Sequence, residues 1–251
     1  MYKRQVFAQI CQGLDIAHKK TNAYGKKIIH GNLNPRAIFI TSNGNAKILD
    51  LDIADMRSTL SKRYGFVKQT FAYMSPEECR GEPASVKTDV FSLGVVAWEA
   101  LWGRRLFQKK TKTEIQEAIK NFTKPQYPPS SKAISKQLET AINKAIEPLP
   151  ENRYDSIGEF GEALLQAAYA EGPPLTSLSI ASLVQTVFSK ELEEQVLFVK
   201  KARDKQDNQK DDEFEADYTR VDSNPRFSID NLAKDGKTNR KGLTQAPYLE
   251  C

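Results

Sequence analysis

Hydrophobic residues return at helical spacing over Gln5–Lys19, where Val6, Ile10, Leu14 and Ala17 share one face and predict an amphipathic helix. A different pattern follows. Ala37–Ile40 and Ala46–Leu49 are short apolar-rich runs, and the loop between them carries Asn43-Gly44. Asn and Gly both tolerate positive φ, so the stretch predicts a β-hairpin. Thr88–Gly103 is apolar almost all round, which predicts a buried helix stopped by Gly103. A short helix is expected at Thr113–Asn121. Two amphipathic helices are expected at Ile134–Ile146 (Leu138, Ile142 and Ala145 inward) and Ser156–Ala170 (Ile157, Phe160, Leu164 and Ala167 inward). Gly172-Pro-Pro174 then breaks the chain. Leu178–Arg203 predicts one long helix with Ile180, Leu183, Val184, Val187, Phe188, Leu192, Val196 and Val199 near one face.

Polar stretches separate these elements. Ile53–Phe71 is rich in Ser, Lys and Arg and reads as a loop; Lys124–Ser131 is a Pro-rich connection. Arg104–Lys112 is basic and reads as a solvated turn. Asp204–Cys251 is charged and lacks apolar periodicity, so burial there could not offset the entropy of ordering, and disorder is expected. The organisation is thus a helical domain over 1–170, an additional helical segment over 171–203 and a charged tail over 204–251.

Length and composition narrow the class. With 251 residues the chain can bury a core in one domain plus extras. A mean hydropathy of −0.55 and the lack of a bilayer-length apolar run or leader pattern argue for a cytoplasmic protein with no membrane partner. Cys11, Cys79 and Cys251 are far apart and odd in number, which fits reduced thiols rather than a disulfide frame or a zinc site. The net charge of +5 is spread among acids and reads as a solvated surface, so no nucleic-acid partner is expected.

The segment His30-Gly-Asn-Leu-Asn-Pro-Arg-Ala37, followed by the hairpin and Asp50-Leu-Asp52, resembles the catalytic loop and metal-binding loop of protein kinases. Three further stretches carry the same resemblance in the same order: Ser75-Pro-Glu77, Asp89-Val-Phe-Ser-Leu-Gly94 and Pro150-x-x-Arg153. Asn34-Pro35, with Thr70 seven residues before Glu77, agrees with the Ser/Thr branch, as in bacterial Ser/Thr kinases. The resemblance covers about residues 1–170. It implies a mainly α fold, the large C-terminal kinase lobe, with the short hairpin bearing the catalytic-loop and metal-loop equivalents. It also implies structural roles: Asp89 accepting backbone N–H groups of the loop, and Glu77 ion-paired with Arg153.

The chemical positions depart from the family. Asn32 stands in place of the catalytic Asp, and its amide takes up no proton near neutral pH. Gly31 replaces an Arg that would pair with a phosphorylated loop. Asn34 replaces the Lys that contacts phosphate. Ala37 replaces the metal-binding Asn and offers no side-chain oxygen to Mg²⁺. His30 and the metal Asp, Asp50, are retained, while Asp52 stands where the family has Gly. Ser58, Thr59, Ser61 and Thr70 are loop hydroxyls whose ordinary reading is unmodified.

The family's small β lobe lies upstream of the helix at Gln5–Lys19. Only Met1–Arg4 precede that helix here, so the lobe and its Gly-rich phosphate loop are expected to be absent and no ATP or Mg cofactor is expected. The expectation is an inactive, pseudokinase-like lobe that binds a protein partner, its oligomeric state open. Two alternatives stand beside it: a Ser/Thr kinase whose small lobe is encoded upstream or supplied in trans, and a truncated product without a role. Apolar side chains around Leu49, Leu51 and the hairpin are expected to be covered by the tail helix or by a partner, or else to make the protein aggregate.

Overall fold

The structure is a computed structural model that describes residues 2–22, 24–51, 71–123, 125, 134–170, 172 and 176–203. In chain order its helices are α1 (Tyr2–His18), α2 (Pro76–Cys79), α3 (Val86–Trp102), α4 (Lys112–Lys120), α5 (Lys136–Ala145), α6 (Ile157–Tyr169) and α7 (Ser177–Val187). Strands β1 (Ile38–Ile40) and β2 (Ala46–Ile48) form an antiparallel pair, with Ile38 opposite Ile48 and Ile40 opposite Ala46. The fold is the mainly helical one expected, with a single short hairpin among the described residues.

Local chemistry sets where helices start. Ser75, Ser85, Thr111, Ser135, Ser156 and Thr176 are N-caps whose hydroxyls accept a backbone N–H of the first turn, which would otherwise have no partner. At Ser75 the bond is reciprocal: Glu78 reaches back to the Ser75 N–H, closing a capping box. Helix α3 ends at Gly103, whose φ of 68° places it in the left-handed region, with its N–H on Glu99 O.

Helix α3 is the centre of the core. Val90, Phe91, Leu93, Val95 and Ala97 have no exposed surface, as an apolar-all-round helix requires. Helix α1 turns Val6, Ile10, Cys11 and Leu14 inward and packs along α6. The two approach so closely that a Cβ on Gly161 would lie 2.6 Å from Cys11 Cβ. Leu138, Ile142 and Ala145 of α5, and Ile157, Phe160, Leu164 and Ala167 of α6, complete the core.

The long helix expected at Leu178–Arg203 is two pieces. Helix α7 stops at Phe188, which leaves helical geometry (φ −116°, ψ 27°), and residues 189–203 form a separate helix. The compact lobe runs to Ser189, beyond the expected limit at 170, because α7 packs on it. Ile180 and Ala181 are buried, and Val184 packs against the core. The anchor is the hairpin turn: Gly44 has φ 80°, and a Cβ there would lie 2.0 Å from Ser177 O. Gln9 of α1 ties the corner together, donating to Ser177 Oγ at 3.5 Å and accepting the Ala46 N–H at 2.7 Å. Leu49 and Leu51 nevertheless remain substantially exposed. In residues 189–203, Val196, Leu197, Phe198 and Val199 are exposed.

Candidate functional site

The loop between α1 and β1 is built around Asp89, a carboxylate in the first turn of α3 with no exposed surface. Its Oδ1 accepts the Gly31 N–H and its Oδ2 accepts the His30 N–H, both at 2.8 Å. His18 Nε2, at the end of α1, lies 2.8 Å from the same Oδ2 and donates to it. A buried carboxylate needs such partners, since desolvation would otherwise make it costly. Gly31 takes φ 61° to bring its N–H round. Sequence reasoning identified Asp89 and the loop but missed His18; the available signal was a lone His closing an amphipathic helix shortly before the loop.

A second tie joins the loop to the hairpin. His30 has no exposed surface, and its Nε2 lies 2.9 Å from Leu49 O, which can only accept, so that nitrogen carries the proton. The Leu49 N–H in turn donates to Ala37 O at 2.9 Å. These bonds place Asp50 beside the loop. Asp50 is exposed and has φ 61°, the one non-Gly residue with positive φ among the described residues; Asp is among the side chains that tolerate this region.

Asn34 has a different task from the one its position suggested. Its Oδ1 accepts the Arg36 N–H at 3.0 Å and its Nδ2 donates to Asn32 O at 2.7 Å. It caps the 3-10 turn Pro35–Ala37 and is buried. Asn32 is half-buried, and Ala37 is 2% exposed. Asp52, Ser58, Thr59, Ser61 and Thr70 lie outside the described residues.

Glu77 and Arg153 form a buried bidentate pair, Oε1 to Nη1 at 2.7 Å and Oε2 to Nη2 at 2.9 Å. The remaining guanidinium hydrogens go to Glu147 O, Lys87 O and Pro148 O. All five N–H donors are thereby satisfied. The guanidinium also sits over the Phe91 ring, 4.8 Å from its centroid. Burial alone would push the Glu77 carboxyl up; the hydrogen bond and charge of Arg153 outweigh it and hold the carboxyl below the ordinary range.

Together the retained residues can hold a loop rigidly, but they fit a kinase metal pair poorly. Asp50 supplies one carboxylate, whereas Ala37 supplies only a buried methyl group. No group of three or more His, Cys, Asp or Glu able to hold a metal occurs among the described residues. A groove of about 400 Å³ between α5 and α6, lined by Lys136, Thr140, Tyr154 and Gln166 among others, shares no residue with this loop. No helix among the described residues is long and apolar enough to cross a membrane.

Comparison with known proteins agrees with this architecture. The protein kinase domain family matches residues 2–168. The tyrosine-protein kinase MasK of Myxococcus xanthus is 31% identical over 163 residues, covering 64% of this chain and 25% of its own length. The serine/threonine-protein kinase Pkn1 of the same species is 35% identical over 174 residues, covering 66% and 24%. The serine/threonine-protein kinase PknB of Mycobacterium tuberculosis is 29% identical over 175 residues, covering 67% and 26%. The chain thus spans about a quarter of the length of these curated relatives. On the strength of a match over most of its length, this chain belongs to the protein kinase domain family.

Proposed function

We propose that this lobe is a catalytically inactive, pseudokinase-like member of the family that serves as a binding surface for a protein partner. One contrast carries the reading. The residues that shape the catalytic loop are in place and hydrogen-bonded to it, while the positions that would take up a proton or hold a second metal ion are Asn32 and Ala37. An amide can orient a hydroxyl but cannot accept its proton at neutral pH. Asn34 carries no positive charge to meet a phosphate, and its amide is committed to the loop's own turn. Mg²⁺ requires oxygen ligands in near-octahedral array, and of the positions Ala37 and Asp50 only Asp50 offers a side-chain oxygen to it.

A second reading, ATP-dependent phosphoryl transfer to protein Ser or Thr, draws support from Asp50, which keeps an exposed carboxylate next to the loop. Two measurements on the 251-residue chain separate them. Thermal unfolding with saturating ATP and Mg²⁺ is expected to show no shift; a ligand at 100 times its Kd would add about 2.7 kcal/mol. Phosphotransfer to a generic protein acceptor is expected to be nil for both the wild-type chain and Asn32→Asp. Transfer by the wild-type chain would refute the inactive reading. Transfer appearing only with Asn32→Asp would show that the Ala37 position is compatible with catalysis and that Asn32 alone blocks it.

A further inference from the structure

We infer that the helix at 189–203 pairs antiparallel with the same helix of a second copy of this chain. The inference goes beyond the binding role proposed above and does not rest on it. It starts from an apolar seam. Leu192, Val196 and Val199 recur at spacings of four and three, and the stem of Arg203 follows four residues on. That is the a/d pattern of a coiled coil. Val196 is 70% exposed, Val199 is 48% exposed and Leu192 is half-buried. Leu197 and Phe198 beside them are exposed as well. Single exposed apolar residues are ordinary, whereas a seam running over about three turns is a face suited to another helix.

The charges choose the occupant. Glu191, Glu193 and Glu194 lie near the start of the helix, and Lys200, Lys201 and Arg203 lie at its end. All six are exposed. This order complements the helix dipole, which is its ordinary explanation. The dipole does not explain where the charges stand relative to the seam. With Val196 at a and Val199 at d, Glu193 and Lys200 both fall at e, flanking the apolar residues. None of the three cations stands three or four residues after one of the three carboxylates, so the helix has no internal pairing for them. Lys190 does stand three and four residues before Glu193 and Glu194, yet no ion pair joins them among the described residues.

A second copy laid antiparallel meets each of these features. A two-fold axis midway between Val196 and Val199 sets Val196 against Val199 of the second copy, and Leu192 against the stem of that copy's Arg203. Glu193 then lies beside Lys200 of the second copy, and the symmetry repeats the pair. A parallel copy would put carboxylates beside carboxylates and cations beside cations. A uniformly acidic or basic partner segment would suit one half of the helix and be repelled by the other. An anionic membrane would meet Glu191 and Glu193 on either side of Leu192, where a surface-seated helix carries Lys or Arg. The face is short, which makes the dimer weak and concentration-dependent.

The test follows the 251-residue chain by sedimentation velocity at low salt, from about 5 µM to about 200 µM, a range that brackets micromolar affinity. The weight-average mass is expected to climb from 28.3 kDa toward twice that value. Raising salt from about 0.05 M to about 0.3 M should weaken association severalfold. Val196→Ser/Val199→Ser should leave the chain monomeric. Glu193→Lys/Glu194→Lys and Lys200→Glu/Lys201→Glu should each weaken self-association about tenfold, and an equimolar mixture of the two should recover it. If circular dichroism shows that the Ser variant has lost helix, the charge variants carry the test. A chain monomeric at every concentration, a dimer untouched by these variants, a mixture that fails to recover, or association that strengthens with salt would overturn the inference. So would phosphatidylserine vesicles that bind the chain and abolish the dimer. None of those results bears on phosphotransfer, so the inactive reading stands or falls by its own assay.

Discussion

Replacing Arg153 with Met should expose how much of the lobe depends on one ion pair. The substitution keeps a long apolar stem but removes all five N–H donors, leaving the Glu77 carboxylate 4% exposed with no cation. Stranding one member of a buried pair costs about 3–5 kcal/mol. The carbonyls of Lys87, Glu147 and Pro148 also lose a donor, which adds about 1 kcal/mol at each carbonyl that water does not reach. The expected loss is therefore about 5 kcal/mol, a large part of the roughly 5–15 kcal/mol typical of a whole domain. Urea unfolding followed by far-UV circular dichroism measures it. The melting temperature should fall by roughly 10–20 °C, at about 2–4 °C per kcal/mol for a domain of this size.

The pH dependence gives a sharper check. In the wild type Arg153 holds the Glu77 carboxyl low despite burial, so the pair's contribution is present above the ordinary carboxyl range and is lost as pH falls through the lowered value. In the variant burial, the largest influence on Glu77, is no longer outweighed by Arg153; it raises the carboxyl against the hydrogen bonds from backbone N–H and from the Ser75 and Thr88 hydroxyls that remain. Protonation then relieves the stranded charge, so the deficit should be greatest near pH 7 and shrink toward about pH 5. Adding Glu77→Gln to Arg153→Met should restore part of the stability at neutral pH. A deficit below about 1 kcal/mol, or one that grows on acidification, would refute the account.

Three other outcomes follow from the geometry. Asp89→Ala removes the acceptor for two loop N–H groups and His18, so the His30 and Gly31 amides should exchange with deuterium much faster and stability should fall by about 2–4 kcal/mol. Gly44→Ala places a Cβ against the Ser177 carbonyl at a residue with φ 80°, so limited proteolysis should cut within α7 sooner than in wild type. Burial raises the Cys79 thiol to about 11 and raises the Cys11 thiol as well. Iodoacetamide should therefore label both slowly at about pH 8, with Cys79 labelling climbing as pH approaches about 11 and Cys11 reacting only after denaturation.

Periodicity makes most of the lobe legible. Helices with one apolar face, such as α5 and α6, and the all-apolar α3 announce themselves because burial dictates which positions must be apolar. Asp89 and Glu77 are legible only through the family motif. Nothing local marks a carboxylate that will bond to a loop 58 residues away or to an Arg 76 residues on. Asn34 reads first as the residue it replaces; its capping of Pro35–Ala37 is available from the Asn-Pro sequence but is masked by that comparison. The break at Phe188 escapes the pattern because Val184, Val187 and Leu192 keep helical spacing across it, and periodicity cannot register a local loss of helical φ and ψ. Why the chain turns out of the helix at that residue has no account in its contacts.

The seating of α7 on the hairpin turn matters to anyone preparing this protein. The family match stops at residue 168, a tempting place to end an expression clone. A clone ending there would leave Gly44, Gln9 and the core facing Ile180 open to water, and the product should precipitate or oligomerise. Cutting after Ser189 keeps that cover.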